Sequence, residues 1–129
     1  MTTHFMATVE FDAKRSLPDL ATKLGLVFRV PLTKEDTGRF DEVPAYVGSS
    51  GEVRLTLFGP TEEQEERECI LEVSLRTSLP ATQALANELD FLQSIFVDSD
   101  VDSTGHVNCS NRLASLLQLN GFGDCKAVR

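Results

Sequence analysis

The sequence predicts an α+β fold: an antiparallel sheet of four to five strands, two helices across one face and a short C-terminal helix. Several short runs alternate between apolar and polar residues with a period of two, as half-buried strands do. A longer segment, 78–96, has apolar residues at helical spacing. A strand, a helix-start signal and a helix follow one another in both halves of the chain.

The predicted strands are 4–11, 26–32, 43–47, 53–58 and 70–76. Pro31 confines the second of these to a sheet edge, or itself marks the end of the run, because proline lacks the N–H that a central strand needs. The segment Gly48–Gly51 predicts a hairpin turn. The acidic run TEEQEERE, at 61–68, stands between two predicted strands and predicts a long hairpin tip, with a helical turn as the alternative.

Each predicted helix has start and stop signals. Ser16 precedes a short helix that Gly25 is well placed to end. Ser78 begins the long second helix, and Asn108 or Ser110 begins the third. The third helix ends at Asn120-Gly121, and we expect a loose tail from about residue 121 in which Phe122 alone tucks in.

An internal similarity relates the two halves. The run 9–18, VEFDAKRSLP, aligns with 71–80, LEVSLRTSLP, and the Glu, Ser, Leu and Pro positions are identical. Duplication and chance both explain this similarity. In either case, two strand-cap-helix units of one design predict a split βαβ, ferredoxin-like plan.

Length and composition predict one domain over residues 1–129, large enough to fold without disulfides or metals. The three cysteines are an odd number and none forms a Cys-x-x-Cys pair, so a disulfide framework is not expected. The N-terminal residues lack the pattern of a signal peptide, and no apolar run reaches the length of a membrane span. We therefore expect a cytoplasmic protein.

The net charge is −8, and the excess is concentrated in residues 51–129, which carry six Lys/Arg against thirteen Asp/Glu. This charge disfavours nucleic acid and anionic membranes as partners and favours a basic protein. The predicted partner-binding site is an acidic patch made of two clusters: Glu62, Glu63, Glu65, Glu66 and Glu68, and Asp98, Asp100 and Asp102.

Two other motifs point more weakly to chemistry. Asp98, Asp100 and Asp102 are spaced like the start of a calcium-binding EF-hand loop, but Ser103 and Cys109 stand where that loop needs Gly and Glu. His106 with Cys109 and Cys125 offers thiol and imidazole groups without a zinc-ligand spacing. We therefore expect no metal, no cofactor, no catalytic residue and no enzymatic activity.

The leading function hypothesis is a non-enzymatic acidic inhibitor of a basic partner. Immunity proteins that neutralise nuclease-type toxins are typical of this class, and phage inhibitors of host proteins share the same profile. The alternative is a ligand-binding or regulatory module of ferredoxin-like fold acting as a homodimer, with an apolar pocket at Leu26, Phe28 and Val30. A monomer or a weak homodimer is compatible with both hypotheses.

Overall fold

A computed structural model describes residues 3–11, 17–34, 45–59, 69–78, 83, 90–96 and 106–128. The strands in these ranges are β1 (Thr3–Phe11), β2 (Thr33–Lys34), β3 (Ala45–Ser50), β4 (Val53–Phe58), β5 (Cys69–Thr77), β6 (His106–Asn108) and β7 (Lys126–Ala127). The helices are α1 (Leu17–Phe28), α2 (Asp90–Ile95) and α3 (Ser110–Leu119).

The described strands form one mixed, predominantly antiparallel sheet in the order β2-β3-β4-β5-β1-β6, with β7 also paired to β1. The α+β class is therefore confirmed, whereas the predicted count of four to five strands is wrong, because seven strands are described. The additional strands β2, β6 and β7 have only two or three residues. Runs this short cannot show an alternating pattern.

The pairing of β1 with β5 is the centre of the sheet. It is antiparallel and joins nine residue pairs, from Thr3↔Thr77 to Phe11↔Cys69. The odd-numbered residues of β1 after Thr3 are buried, and the even-numbered residues are only partly buried. Their β5 partners alternate in the same way. One face of the sheet therefore belongs to the core and the other does not.

All three described helices contribute to the same core as the buried sheet face. Leu24 of α1 and Leu117 of α3 are fully buried in it. The ring of Phe96, which follows α2, meets Phe5 edge-on with 5.8 Å between ring centroids. The predicted layering, with helices over one face of a sheet, is consistent with this shared core.

The ferredoxin-like plan is not confirmed. In a βαβ unit the strands on either side of the helix run parallel. Here β6, which follows α2, runs parallel to β1, and β1 runs antiparallel to β5. Strands β5 and β6 therefore run in opposite directions, and the second half of the chain does not complete a parallel crossover.

Helix α1 is longer than predicted. It continues through Gly25 to Phe28, so the predicted strand at 26–32 is wrong. The helix ends where Arg29 adopts a left-handed conformation, with φ of 54°. The Val30 N–H donates to the Gly25 carbonyl at 3.1 Å, which is the bond that closes a Schellman motif. The helix is therefore ended by a non-glycine residue, Arg29, which the sequence signals did not predict.

The β3–β4 hairpin turns at Gly51 and Glu52, so the turn predicted over Gly48–Gly51 is too long. Gly51 has φ of 57°, which suits the first turn position of a two-residue hairpin. Gly48 instead lies within β3, where an added Cβ would stand 2.8 Å from the Pro31 carbonyl oxygen. Its missing side chain is what lets the segment after α1 cross the sheet.

The C-terminal residues form ordered contacts in place of the loose tail expected from residue 121. Gly121 has φ of 98°, and the Phe122 N–H donates to the Leu117 carbonyl at 3.0 Å, which ends α3 as predicted. Phe122 is buried and meets Phe11 edge-on at 5.8 Å. Cys125 is buried as well, and β7 pairs with β1.

Several predictions fall on residues outside the described ranges. The cap at Ser16, the acidic hairpin tip at 61–68 and the Asp98–Asp102 loop all lie there. Of the long helix predicted over 78–96, α2 confirms only Asp90–Ile95.

Ser110 joins α3 to the central strand. Its hydroxyl accepts the Thr8 N–H at 2.9 Å, at a position of β1 between its pairings with β6 and β7. The side-chain oxygen of Asn108 accepts the Ser110 N–H at 2.9 Å, so Asn108 supplies the side-chain acceptor at the helix start. Ser110 is only 6% exposed.

We expect Ser110→Ala to lower the free energy of unfolding by about 1–3 kcal/mol, because the Thr8 N–H loses its acceptor in a buried position. The measurement is urea denaturation. Ser115→Ala, an exposed position in the same helix, is the matched control and should leave stability nearly unchanged. Equal effects of the two substitutions would contradict a structural role for the Ser110 hydroxyl.

Candidate functional site

The candidate site is the sheet face opposite the core, which we call the open face. Its side chains are polar or partly exposed because they occupy the alternate positions of strands whose other positions fill the core. The open face comprises His4, Met6, Thr8, Glu10, Val47, Ser49, Arg54, Thr56, Phe58, Ile70, Glu72, Ser74, Arg76, His106 and Asn108.

Four basic or imidazole side chains gather at one end of the open face: His4, Arg54, Arg76 and His106. We call them the basic cluster. His4 stands directly opposite Arg76 on β5 and opposite His106 on β6. Arg54 stands opposite Ser74, two residues from Arg76 on the same strand. Side chains opposite one another on a shared face lie about 4.5–5.5 Å apart at Cβ, so these four groups are neighbours.

The electrostatics of the basic cluster are those of concentrated positive charge. The His4 and His106 rings lie 5.3 Å apart between centroids. The pKa of His4 is lowered from its ordinary value by burial, by the positive charge of Arg76 and by His106. Within the described residues, no carboxylate forms an ion pair with Arg54 or Arg76.

Two depressions meet on the open face. The narrow depression has a volume of about 380 Å³ and is lined by His4, Glu52, Arg54, Ser74 and Arg76. The broad depression has a volume of about 750 Å³ and lies over β3, β4 and β5. Val47, Thr56 and Phe58 are among its lining residues, and it shares Arg54 and Ser74 with the narrow depression. The two form one continuous groove with a basic end.

No family model, curated protein or solved structure matches this chain. The site is therefore interpreted from its own geometry and chemistry.

The predicted acidic patch lies wholly outside the described residues, so it stays a prediction. His106 and Cys109 are described, and they lie in different surroundings. His106 is exposed on the open face, whereas Cys109 is buried in the core. Strand alternation explains this, because Val107 and Cys109 follow the inward positions while His106 points outward.

The described cysteines are buried free thiols. Burial raises the pKa of Cys69, and burial together with Asp124 raises the pKa of Cys125 to about 12. Thiols of this kind are poor nucleophiles because so little thiolate is present. Within the described ranges, no group of three or more metal-ligating side chains occurs.

The apolar pocket suggested at Leu26, Phe28 and Val30 does not form. Phe28 and Val30 are buried in the core, and Leu26 is 74% exposed. The extension of α1 accounts for this difference, because helical spacing turns Leu26 and Phe28 toward different sides. No helix among the described residues is long and apolar enough to cross a membrane.

Sequence reasoning missed the basic cluster. Arg54 and Arg76 stood out only as the polar positions of alternating strands, and His4 carried no signal of its own. Their proximity depends on which strands are neighbours and in what register, and a single sequence does not show either. The sequence feature that could have indicated the cluster is the presence of basic side chains at polar positions of the strands, although the chain as a whole is acidic.

We expect the stability of the protein to fall as pH drops from about 7.5 through 6.5, in part because of His4. Its folded-state pKa lies below the unfolded value, so the unfolded chain takes up a proton first. Urea unfolding of the wild type and of His4→Gln at pH 7.5 and 5.5 measures this contribution. Between pH 7.5 and pH 5.5, the free energy of unfolding should fall less in His4→Gln than in the wild type. An equal fall in both proteins would contradict the contribution of His4.

Proposed function

We propose that this protein is a non-enzymatic binding module that holds a small ligand on the open face of its sheet. The observation that carries the proposal is the continuous groove, in which the broad and narrow depressions share Arg54 and Ser74. This corresponds to the ligand-binding alternative considered from the sequence, with the site moved from the Leu26 region to the sheet.

The composition of the groove supports a binding role. Apolar and hydroxyl side chains line its broad part together with Arg54 and Glu72, and its narrow part is lined mainly by charged side chains. Ligand sites commonly combine apolar contact surface with a few polar groups that orient the ligand. A rigid sheet suits this role because paired strands hold neighbouring side chains in fixed relative positions.

A fragment screen by ¹H–¹⁵N NMR tests the proposal. Bound fragments should perturb amides of β3, β4 and β5 around Thr56, which is half-buried in the broad depression. Thr56→Trp should abolish these responses, because the indole fills the groove while preserving strand propensity. The matched control is Thr22→Trp at an exposed position of α1, which should retain binding. Fragments that cluster on the helices and leave the sheet unperturbed would contradict the proposal.

A second proposal, favoured by the net charge of −8, is an acidic inhibitor of a basic protein. The run TEEQEERE carries five Glu against one Arg, which concentrates negative charge in one segment. Such a segment speeds the association of a positively charged partner.

Reversing Glu62, Glu63, Glu65 and Glu66 to Lys should slow association with a basic partner captured from the native host and weaken the salt dependence of that rate. Thermal stability should change little. Reversal of Asp12, Asp19, Glu35 and Asp36 alters the net charge equally and is the control. Surface plasmon resonance measures the rates, and unaltered association of the first variant would contradict the acidic-patch proposal.

A further inference from the structure

The basic cluster is unusual for a chain that carries 20 acidic against 12 basic side chains. Strand register places His4 opposite both Arg76 and His106, and no described carboxylate pairs with either arginine. Glu52 is the acidic side chain that lines the narrow depression. Within the described residues, Arg54 and Arg76 therefore stand close together without a carboxylate ion pair, as positive groups at a site for an anion do.

The donors of the narrow depression match an oxyanion. Arginine guanidinium groups present N–H donors in a fork that suits phosphate and carboxylate oxygens. The Ser74 hydroxyl stands beside Arg54 and adds a further donor. Two arginines and one glutamate leave one positive charge, and protonation of His4 raises it to two. This added positive charge should raise the affinity most for an oxyanion with two negative charges.

The broad depression indicates what the oxyanion is attached to. It continues from Arg54 and Ser74 across Thr56 toward Val47 and Phe58, which are partly exposed. This part offers the apolar side chains of Val47 and Phe58 next to the basic end, and the Glu72 carboxylate also lines it. A free inorganic ion would leave it unused, whereas an organic group attached to the oxyanion would fill it.

We propose that the groove binds a small organic phosphate monoester, with the phosphate on the basic cluster and the organic group in the broad depression, and that its affinity for a dianion rises as pH falls. This inference rests on the proposed ligand-binding function. The groups that face His4 are Arg76 on β5, His106 on β6, and Arg54 and Glu52 at the β4 side of the narrow depression. A bound dianion favours the protonated form of the His4 imidazole, and by reciprocity that form favours the dianion.

The test begins with sulfate, which remains a dianion between pH 5.5 and 7.5, titrated at constant ionic strength and followed by ¹H–¹⁵N NMR. Saturable shifts should centre on His4, Arg54, Ser74 and Arg76, and affinity should be higher at pH 5.5. Arg54→Gln and Arg76→Gln should each weaken binding by about tenfold, as loss of a charge-assisted hydrogen bond does. His4→Gln should reduce the difference in sulfate affinity between pH 5.5 and pH 7.5.

Lys126→Gln is the matched control, because it removes one exposed positive charge from β7, opposite Glu10 on β1. If Lys126→Gln and Arg76→Gln weaken sulfate binding equally, the loss reflects the net charge of the protein and the inference is overturned. Shifts that do not saturate would overturn it too. Arg54 and Arg76 are exposed, and the dispersion of each variant's spectrum verifies that it is folded.

Phenyl phosphate and inorganic phosphate, compared at pH 7.5, test the source of the oxyanion. Tighter binding of phenyl phosphate supports the monoester, and equal binding overturns that assignment. Saturation by a single-stranded oligonucleotide without any response to phenyl phosphate would overturn it in favour of nucleic acid. Fragments that still map to the groove when both phosphates fail would overturn this inference and leave the proposed function standing.

Discussion

The register between β1 and β5 is the constraint on which the rest of the structure depends. It aligns Phe5 with Leu75, Ala7 with Val73 and Val9 with Leu71, so that three successive pairs enter the core together. Side chains alternate between faces, so a slip of β1 by one residue would turn Phe5, Ala7 and Val9 out of the core and bury His4 in their place. Both the loss of apolar burial and the burial of an unpaired polar side chain are unfavourable, and the register is therefore strongly specified.

The same register builds the candidate site. It sets His4 opposite Arg76 on the face that the core does not use, and the β4–β5 pairing sets Arg54 opposite Ser74. Stability and binding are in this way divided between the two faces of one sheet. Substitutions on the open face should therefore change binding with little effect on the core, which makes the site open to mutational analysis.

Strand β1 also pairs with segments from the C-terminal part of the chain. Along its free edge it pairs with β6 and then with β7, and the Ser110 hydroxyl accepts the Thr8 N–H between them. The Cys109 N–H donates to the Met6 carbonyl at 2.6 Å, and the Val128 N–H donates to the Thr8 carbonyl at 2.8 Å. Edge strands with unpaired backbone groups invite aggregation, and these short segments cover much of this edge.

Strands β1, β4 and β5 were predictable because each alternates cleanly over six or more residues, and α3 was predictable because its apolar spacing and its Asn-Gly stop agree. The end of α1 was not predictable. Gly25 resembles a helix stop, whereas the residue with the left-handed conformation that ends the helix is Arg29. Short strands such as β7 depend on tertiary pairing and have no periodicity to detect. The basic cluster escaped prediction because register, and not spacing along the chain, brings its members together.

Backbone NMR measures the central claim most directly, through cross-strand nuclear Overhauser effects between β1 and β5. The register described above predicts contacts that match the pairs His4↔Arg76, Met6↔Ser74 and Thr8↔Glu72. A pattern displaced by one residue would contradict it, because the side chains of one of the two strands would then exchange faces.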